Sequence, residues 1–237
     1  MNNREHVFQI ERGELHVWKA FFSEHKKNIE DFLRILSKEE LHRARKFHFQ
    51  KDSEKYIIGR ALLRWILSQY TSIEPQDIEF TYTPYGKPVL QNSRNFNFNV
   101  SHSNDVLLVA LTADADVGID VEYIREDFNN EDIADQYFSQ TEAAALRVLP
   151  ECDKALGFYL CWTRKEAYIK AKERGLSLSL KQFDVSVSPG DPPRLLRTTF
   201  DRSESERWNL YDLTPAENYA GAVAINIPLS NIHYFSL

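Results

Sequence analysis

The chain has 237 residues, of which 43% are hydrophobic and 27% charged, and its formal net charge is −6. That length suits one large domain or two of roughly 100–130 residues, in an ordinary globular composition. The acidic balance disfavours a nucleic-acid partner, no stretch reaches the roughly 18–20 apolar residues of a membrane span, and Met1 to Glu14 has no signal-peptide core. A cytoplasmic location is therefore expected. Cys152 and Cys161, the two cysteines, make no zinc motif and read as free thiols.

Gly13 to Phe22 alternates and is rich in β-formers, which predicts a strand. Ser37-Lys38-Glu39-Glu40 is a capping box and opens a helix through about Phe47. His42, Arg43, Arg45, Lys46 and His48 cluster there and suit a small polyanion. Asp52 or Ser53 caps a second helix to about Gln69, with Ile57, Ala61, Leu62, Trp65 and Ile66 at helical spacing. A short strand is expected over Ile78 to Tyr82, then a turn at Pro84-Tyr85-Gly86-Lys87-Pro88. Phe96 to Val100 and Val106 to Thr112 read as strands, joined by Ser101-His102-Ser103-Asn104-Asp105. Ala113 to Asp116 is polar and marks a junction between residues 1–114 and 115–237.

Val117 to Val121 is a further strand, and Tyr123 to Asp153 is charged and interrupted, with a capping box at Ser139-Gln140-Thr141-Glu142. A long helix over Lys154 to about Lys172 closes at Gly175. Phe183 to Val187, Trp208 to Leu213 and Ala220 to Ile225 are expected strands. Each half runs strand, helices, strands. That order predicts an α+β fold of two like-built lobes.

Asp120 and Glu122 lie two apart on a predicted strand and so share a face, with Ile119 and Val121 turned to the core. Two carboxylates on one face repel unless a cation or base separates them. On the long helix, Trp162, Glu166 and Lys170 follow i, i+4, i+8, and Lys165 is adjacent to their stripe. Such a stripe facing a carboxylate strand supplies oxygen ligands for a hard cation and ammonium groups for phosphate. That set suits Mg²⁺-assisted chemistry at a pyrophosphate. The plainer alternatives are a solvated strand end and an exposed Glu–Lys helix pair, and the second leaves the tryptophan unexplained. His102, beside Ser101, can bond phosphate, act as acid or base, or simply fill a core position. Gly86-Lys87-Pro88 offers a tight turn and one ammonium.

Gly86-Lys87-Pro88, Phe98-Asn99-Val100-Ser101-His102-Ser103, Gly118-Ile119-Asp120-Val121-Glu122 and Trp162-Thr163-Arg164-Lys165-Glu166-Ala167-Tyr168-Ile169-Lys170 occur in order. Taken together, they closely resemble the 4′-phosphopantetheinyl transferases of the larger, monomeric, Sfp-like type. The resemblance implies two pseudo-symmetric α+β lobes with coenzyme A in the cleft between them. It implies transfer of phosphopantetheine from coenzyme A to a serine of an apo acyl or peptidyl carrier protein, with release of adenosine 3′,5′-bisphosphate. Asp120, Glu122 and Glu166 match the family's Mg²⁺ ligands, for which Mn²⁺ is an alternative. Lys170, with Lys165 nearby, matches the pyrophosphate clamp, and His102 and Ser101 the phosphate contacts. Tyr85, Gly86, Lys87 and Pro88 match the turn against adenine, and Arg43 a basic residue near the 3′-phosphate. Glu166, Lys170 and His102 are the expected catalytic set.

Glu40 stands where some relatives carry lysine, so Arg45, Lys46 or Lys55 is the substitute contact considered. Tyr123 to Leu149 is the expected carrier-facing segment, with Ile124, Phe128, Ile133, Phe138 and Leu146 as apolar contacts. Two rival readings are a metal-dependent nuclease, disfavoured by charge and helical spacing, and a non-catalytic coenzyme A or carrier-protein binding module.

Overall fold

The computed structural model describes residues 8–91, 96–125, 130–172 and 178–237. The chain opens with β1 (Glu14–Phe21), the short helices α1 (Phe22–His25) and α2 (Ile29–Ile35), then α3 (Lys38–Ala44) and α4 (Gln50–Ser68). A hairpin of β2 (Phe80–Tyr82) and β3 (Pro88–Leu90) precedes β4 (Asn97–Ser103), β5 (Val106–Thr112) and β6 (Val117–Tyr123). Next come α5 (Asn130–Tyr137), α6 (Gln140–Arg147), α7 (Glu151–Ala171), and a second hairpin of β7 (Phe183–Val185) and β8 (Leu195–Thr198). The chain closes with α8 (Glu204–Arg207), β9 (Asn209–Leu213), β10 (Tyr219–Ile225) and β11 (Asn231–Ser236).

One sheet has the order β11-β1-β5-β4 and another β6-β10-β9. Both faces of β5 are buried, which is why its sequence is an unbroken apolar run. Val106, Leu108 and Ala110 meet Val117, Ile119, Val121 and Val223 of the other sheet. Leu107, Val109 and Leu111 face α4 instead. The second sheet turns Ala220, Ala222 and Ala224 towards α7. Gly118 completes that surface of small residues, since a Cβ there would lie 2.0 Å from the Ala167 carbonyl oxygen. Long helix and strand therefore touch backbone to backbone.

The halves share a partial likeness of build. The central strand lies next to an early strand in both sheets, β1-β5-β4 and β6-β10-β9. Both expected capping boxes form, at Ser37 and Ser139. Each capping glutamate also receives a buried cation from the following long helix. Arg64 Nε donates to Glu40 Oε2 at 2.8 Å, and Lys165 Nζ to Glu142 Oε1 at 2.7 Å. Arg64 further donates to the Ile78 carbonyl and Lys165 to that of Phe183, each just before or at the start of a hairpin. The likeness of order seen in the sequence thus reaches down to single hydrogen bonds.

Several elements differ from expectation. α4 begins at Gln50 after Phe49, without a side-chain cap, and Ser53 instead donates to the Ala44 carbonyl and ties α4 to α3. Ser101, His102 and Ser103, expected as a connection, pair with β5 as far as Ser103 opposite Val106. Asn104, with φ 47°, makes the turn. α7 starts at Glu151, before Lys154. Gly175 lies outside the described residues. α1, α2, β3, α5, β8, α8 and β11 are not among the expected elements. Residues 231–236, expected with the second half, return to pair in parallel with β1, and Phe235 stacks on Trp18 at 4.6 Å.

Candidate active site

β4 and β6 are edge strands of different sheets, and side chains join them. Asn99 Oδ1 accepts the Ile119 N–H at 2.9 Å, Ser101 Oγ the Val121 N–H at 3.4 Å, and Ser103 Oγ the Tyr123 N–H at 3.1 Å. These three residues alternate along one face of β4, so each reaches one N–H of β6. The β6 edge is satisfied without a neighbouring strand. The same hydroxyls hold the carboxylates. Ser101 Oγ donates to Asp120 Oδ1 at 2.8 Å, and Ser103 Oγ to Glu122 Oε2 at 2.6 Å.

α7 supplies the facing wall. Almost all of its second half is buried, but Trp162, Glu166 and Lys170 are only half-buried. The stripe read from helical spacing is the helix's open face. Trp162 stacks on Phe158, with centroids 5.9 Å apart. Lys170 Nζ donates to Asp120 Oδ1 at 2.6 Å and to Ser101 Oγ at 3.0 Å. Asp120 is nearly fully buried, yet its Oδ2 has no protein partner. A buried carboxylate oxygen without a donor is costly unless a ligand completes it. The donor set here is all oxygen, so the residues present fit a hard divalent cation.

The electrostatics agree with mutual crowding. Burial pushes the Glu166 carboxyl above its usual range, the Asp120 and Glu122 charges add to the rise, and Lys170 opposes it. Burial also raises Glu122, against its Ser103 hydrogen bond. His102 is exposed at the end of β4, and partial desolvation, with the Lys170 and Lys55 ammonium groups, lowers its pKa.

A cavity of about 280 Å³ opens beside these groups, lined by Tyr85, Gly86, Lys87, Pro88, Asn99, Glu166 and Lys170 among others. Gly86 turns with φ 82°, and its N–H donates to the Thr83 carbonyl, so the turn needs a residue tolerant of the left-handed region. A second, more open cavity flanks the other side of the carboxylates, lined by Ser103, Glu122, Tyr123, Ile124, Arg125 and Tyr159.

Not every expected residue joins the site. Lys165 is fully buried, turned away from the open face of α7 and held by Glu142 and the Phe183 carbonyl. One step from the stripe on a helix is a rotation of about 100°, which separates it from Lys170. Arg43 is exposed and lines a separate pocket with Glu40, Tyr56 and Tyr82. Glu40 makes no anion contact because it receives Arg60 and Arg64. Of the considered substitutes, Lys55 lies near His102 and donates to the Asn104 carbonyl at 2.6 Å. In the expected carrier-facing segment Phe138 and Leu146 are core residues, and Ile124 and Ile133 pack partly against that core. Phe138, Leu146 and Ile133 belong to the packing of α5 and α6 on α7, whereas Ile124 follows β6 and lines the open cavity. Phe128 lies outside the described residues. Asn99, Ser103 and Gly118 carried no role in the sequence reading. The polar alternation of β4 was the available signal for the first two.

Comparison with known proteins identifies the family. A family model described as 4′-phosphopantetheinyl transferase, N-terminal, matches residues 18–114, and one described as the 4′-phosphopantetheinyl transferase superfamily matches residues 116–224. The chain is 33% identical to the 4′-phosphopantetheinyl transferase HetI of Nostoc over 90% of its length and 87% of the relative's. It is 31% identical to the 4′-phosphopantetheinyl transferase Sfp of Bacillus subtilis over 67% of this chain and 69% of that one. A mouse L-aminoadipate-semialdehyde dehydrogenase-phosphopantetheinyl transferase is 29% identical over 85% of this chain and 70% of its own. The chain belongs to the 4′-phosphopantetheinyl transferase superfamily. It is accordingly a transferase that moves phosphopantetheine to carrier proteins, with coenzyme A as substrate and a divalent metal. Among the described residues no helix is long and apolar enough to cross a membrane.

Proposed function

We propose that the transfer takes place where β4, β6 and α7 meet, with coenzyme A in the cavity beside Tyr85 to Pro88. The observation that carries this reading is the buried, half-satisfied Asp120 carboxylate, joined to Lys170 and facing Glu166 across the cleft. The cleft then divides residues 1–114 from most of 115–237, as two lobes of like build.

In the reaction, the carrier serine oxygen bonds to the phosphorus that bears the pantetheine arm. The bond from that phosphorus to the bridging oxygen breaks, and adenosine 3′,5′-bisphosphate leaves. Lys170 donates to the pyrophosphate oxygens, supported by His102 and by Lys87 on the turn. Glu166, half-buried on the open face of α7, accepts the serine proton directly or through a bound water. Asp120, Glu122 and Glu166 would hold the divalent cation, and their oxygens favour Mg²⁺ or Mn²⁺ over zinc. When bound, that cation neutralises charge on the pyrophosphate. Ser101 and Ser103 fix the β6 carboxylates so that they need not reorganise. The carrier serine enters from the open cavity beyond Glu122, and the monomer suffices for both substrates.

The test is to incubate the protein with Mg²⁺, coenzyme A and a panel of apo carriers, then weigh each carrier. A gain of one phosphopantetheine is expected, and it is lost in Asp120→Ala. Binding of coenzyme A or carrier without any mass gain would favour the non-catalytic binding module instead.

A further inference from the structure

Among the described residues, the set of His, Cys, Asp and Glu side chains whose ligand atoms all lie within 4.8 Å of one another is not the active-site trio. It is Glu14, His16 and His233. Glu14 and His16 are two apart on β1 and share a face. In the parallel register His233 of β11 stands opposite His16, and Asn231 opposite Glu14. His16 Nε2 is 3.8 Å from Glu14 Oε2, and His233 Nε2 is 3.3 Å from Glu14 Oε1. A tetrahedral ion with bonds near 2.0–2.1 Å sets its ligand atoms about 3.3 Å apart, so the three groups, all within 4.8 Å of one another, would close by at most about 1.5 Å to share one.

The surroundings also suit an ion. His16 is buried, and its other ring nitrogen, Nδ1, lies 2.8 Å from the Tyr70 hydroxyl. The Tyr70 oxygen receives the Trp18 indole N–H at 2.7 Å and has a second lone pair for Nδ1–H. In that tautomer His16 turns its Nε2 lone pair towards Glu14, and the outer hydrogen bond fixes the ring, as is usual for metal-binding histidines. Asn231 lies 3.0 Å from His233 Nε2 and can offer a fourth oxygen if its amide turns over. Two imidazoles and a carboxylate favour ions of the zinc class, in contrast to the all-oxygen set at Asp120.

We infer that Glu14, His16 and His233 form a second metal site, for a divalent transition ion of the zinc class, which clips the C-terminal strand β11 to β1. Its ligands come from opposite ends of the chain, 219 positions apart. An ion there stabilises the arrangement in which the last strand has crossed back to the first sheet, because the unfolded chain presents no such site.

The test uses the full chain stripped with chelator, then supplied with Zn²⁺ under excess Mg²⁺ so that the all-oxygen site is competed. Thermal unfolding of the wild type should shift up by roughly 5–10 °C at a hundredfold excess over Kd. Co²⁺ in place of Zn²⁺ should give visible ligand-field absorption. His233→Gln keeps a polar partner for Glu14 and should lose both signals, as should His233→Ala. Both variants should transfer phosphopantetheine at the wild-type rate with Mg²⁺. Asp120→Ala should keep the Zn²⁺ shift. Absence of a shift in the wild type would mean that the cluster is a histidine–carboxylate hydrogen bond only, and an equal shift in His233→Gln would put the ion elsewhere. Either result overturns the proposal.

Discussion

Gly118→Ala tests whether the spacing of β6 and α7 sets the site. The added Cβ would lie 2.0 Å from the Ala167 carbonyl oxygen and 2.4 Å from the Ala171 backbone nitrogen. Both are main-chain atoms of α7, so neither can rotate away. Real Cβ atoms do not approach closer than 3.0 Å, and the helix must retreat by at least about 1 Å. Asp120 stays behind, anchored on β6 by Ser101, while Glu166 and Lys170 travel with the helix. The 2.6 Å contact from Lys170 to Asp120 then opens. A misplacement of ~1 Å costs about 10²-fold in rate, and overpacking costs about 1–3 kcal/mol. In a chain of this size each kcal/mol lowers Tm by about 2–4 °C. Turnover with coenzyme A and an apo carrier, measured beside thermal unfolding, reads both effects. Gly59→Ala is the internal control, because its Cβ meets only Phe22 carbons, at 3.5 Å, from within α4. It should gain about 0.5–1 kcal/mol and keep its rate. Wild-type turnover and Tm in Gly118→Ala, or equal rate losses in both variants, would refute the reasoning.

Glu166→Gln should lower transfer by about 10²-fold or more, yet stabilise the metal-free fold at neutral pH. The folded carboxyl titrates above its unfolded value, so between those two values the folded state binds more protons and wild-type stability falls as pH rises. Thermal melts in chelator should show the two proteins diverging as pH rises above about 4.5 and converging below it; a constant gap would contradict the shift. The pocket that Arg43 lines adjoins the coenzyme A cavity along the β2–β3 hairpin, at Tyr82 and Thr83, and a 3′-phosphate reaching into it would meet Arg43; Arg43→Ala should then weaken coenzyme A by roughly 10–100-fold, the worth of a charged hydrogen bond, but leave 3′-dephospho-coenzyme A unaffected. Equal losses in calorimetric titrations would remove Arg43 from the 3′-phosphate. Phe138→Ala should cost about 3–5 kcal/mol in denaturant unfolding, since the ring is buried and stacked on Phe158 at 5.2 Å. A loss under about 1 kcal/mol, with a raised KM for the carrier, would restore it as a partner contact.

The parts of the fold legible in the sequence were those set by neighbours in the chain. Ser37 and Ser139 cap helices because each has a glutamate three residues on, whatever lies around them. Asp120 and Glu122 share a face because strands have period two, and Trp162, Glu166 and Lys170 share one because helices have period near 3.6. The ordered motifs were enough to indicate the family.

Which face meets what was decided only by tertiary structure. Lys165 and Lys170 are lysines on one helix, yet one closes a core ion pair with Glu142 while the other meets Asp120. Their partners lie 23 and 50 positions away, beyond any local rule. The same limit hid the inward packing of Phe138 and the cradle that Ser103 makes for Glu122. It hid β11 as well, whose half-exposed residues form a strand because β1 offers an open edge to pair with. Side-chain period is a property of a segment. Burial, charge pairing and edge pairing are properties of the surfaces that segments present to one another, and they exist only once the two sheets and α7 have come together.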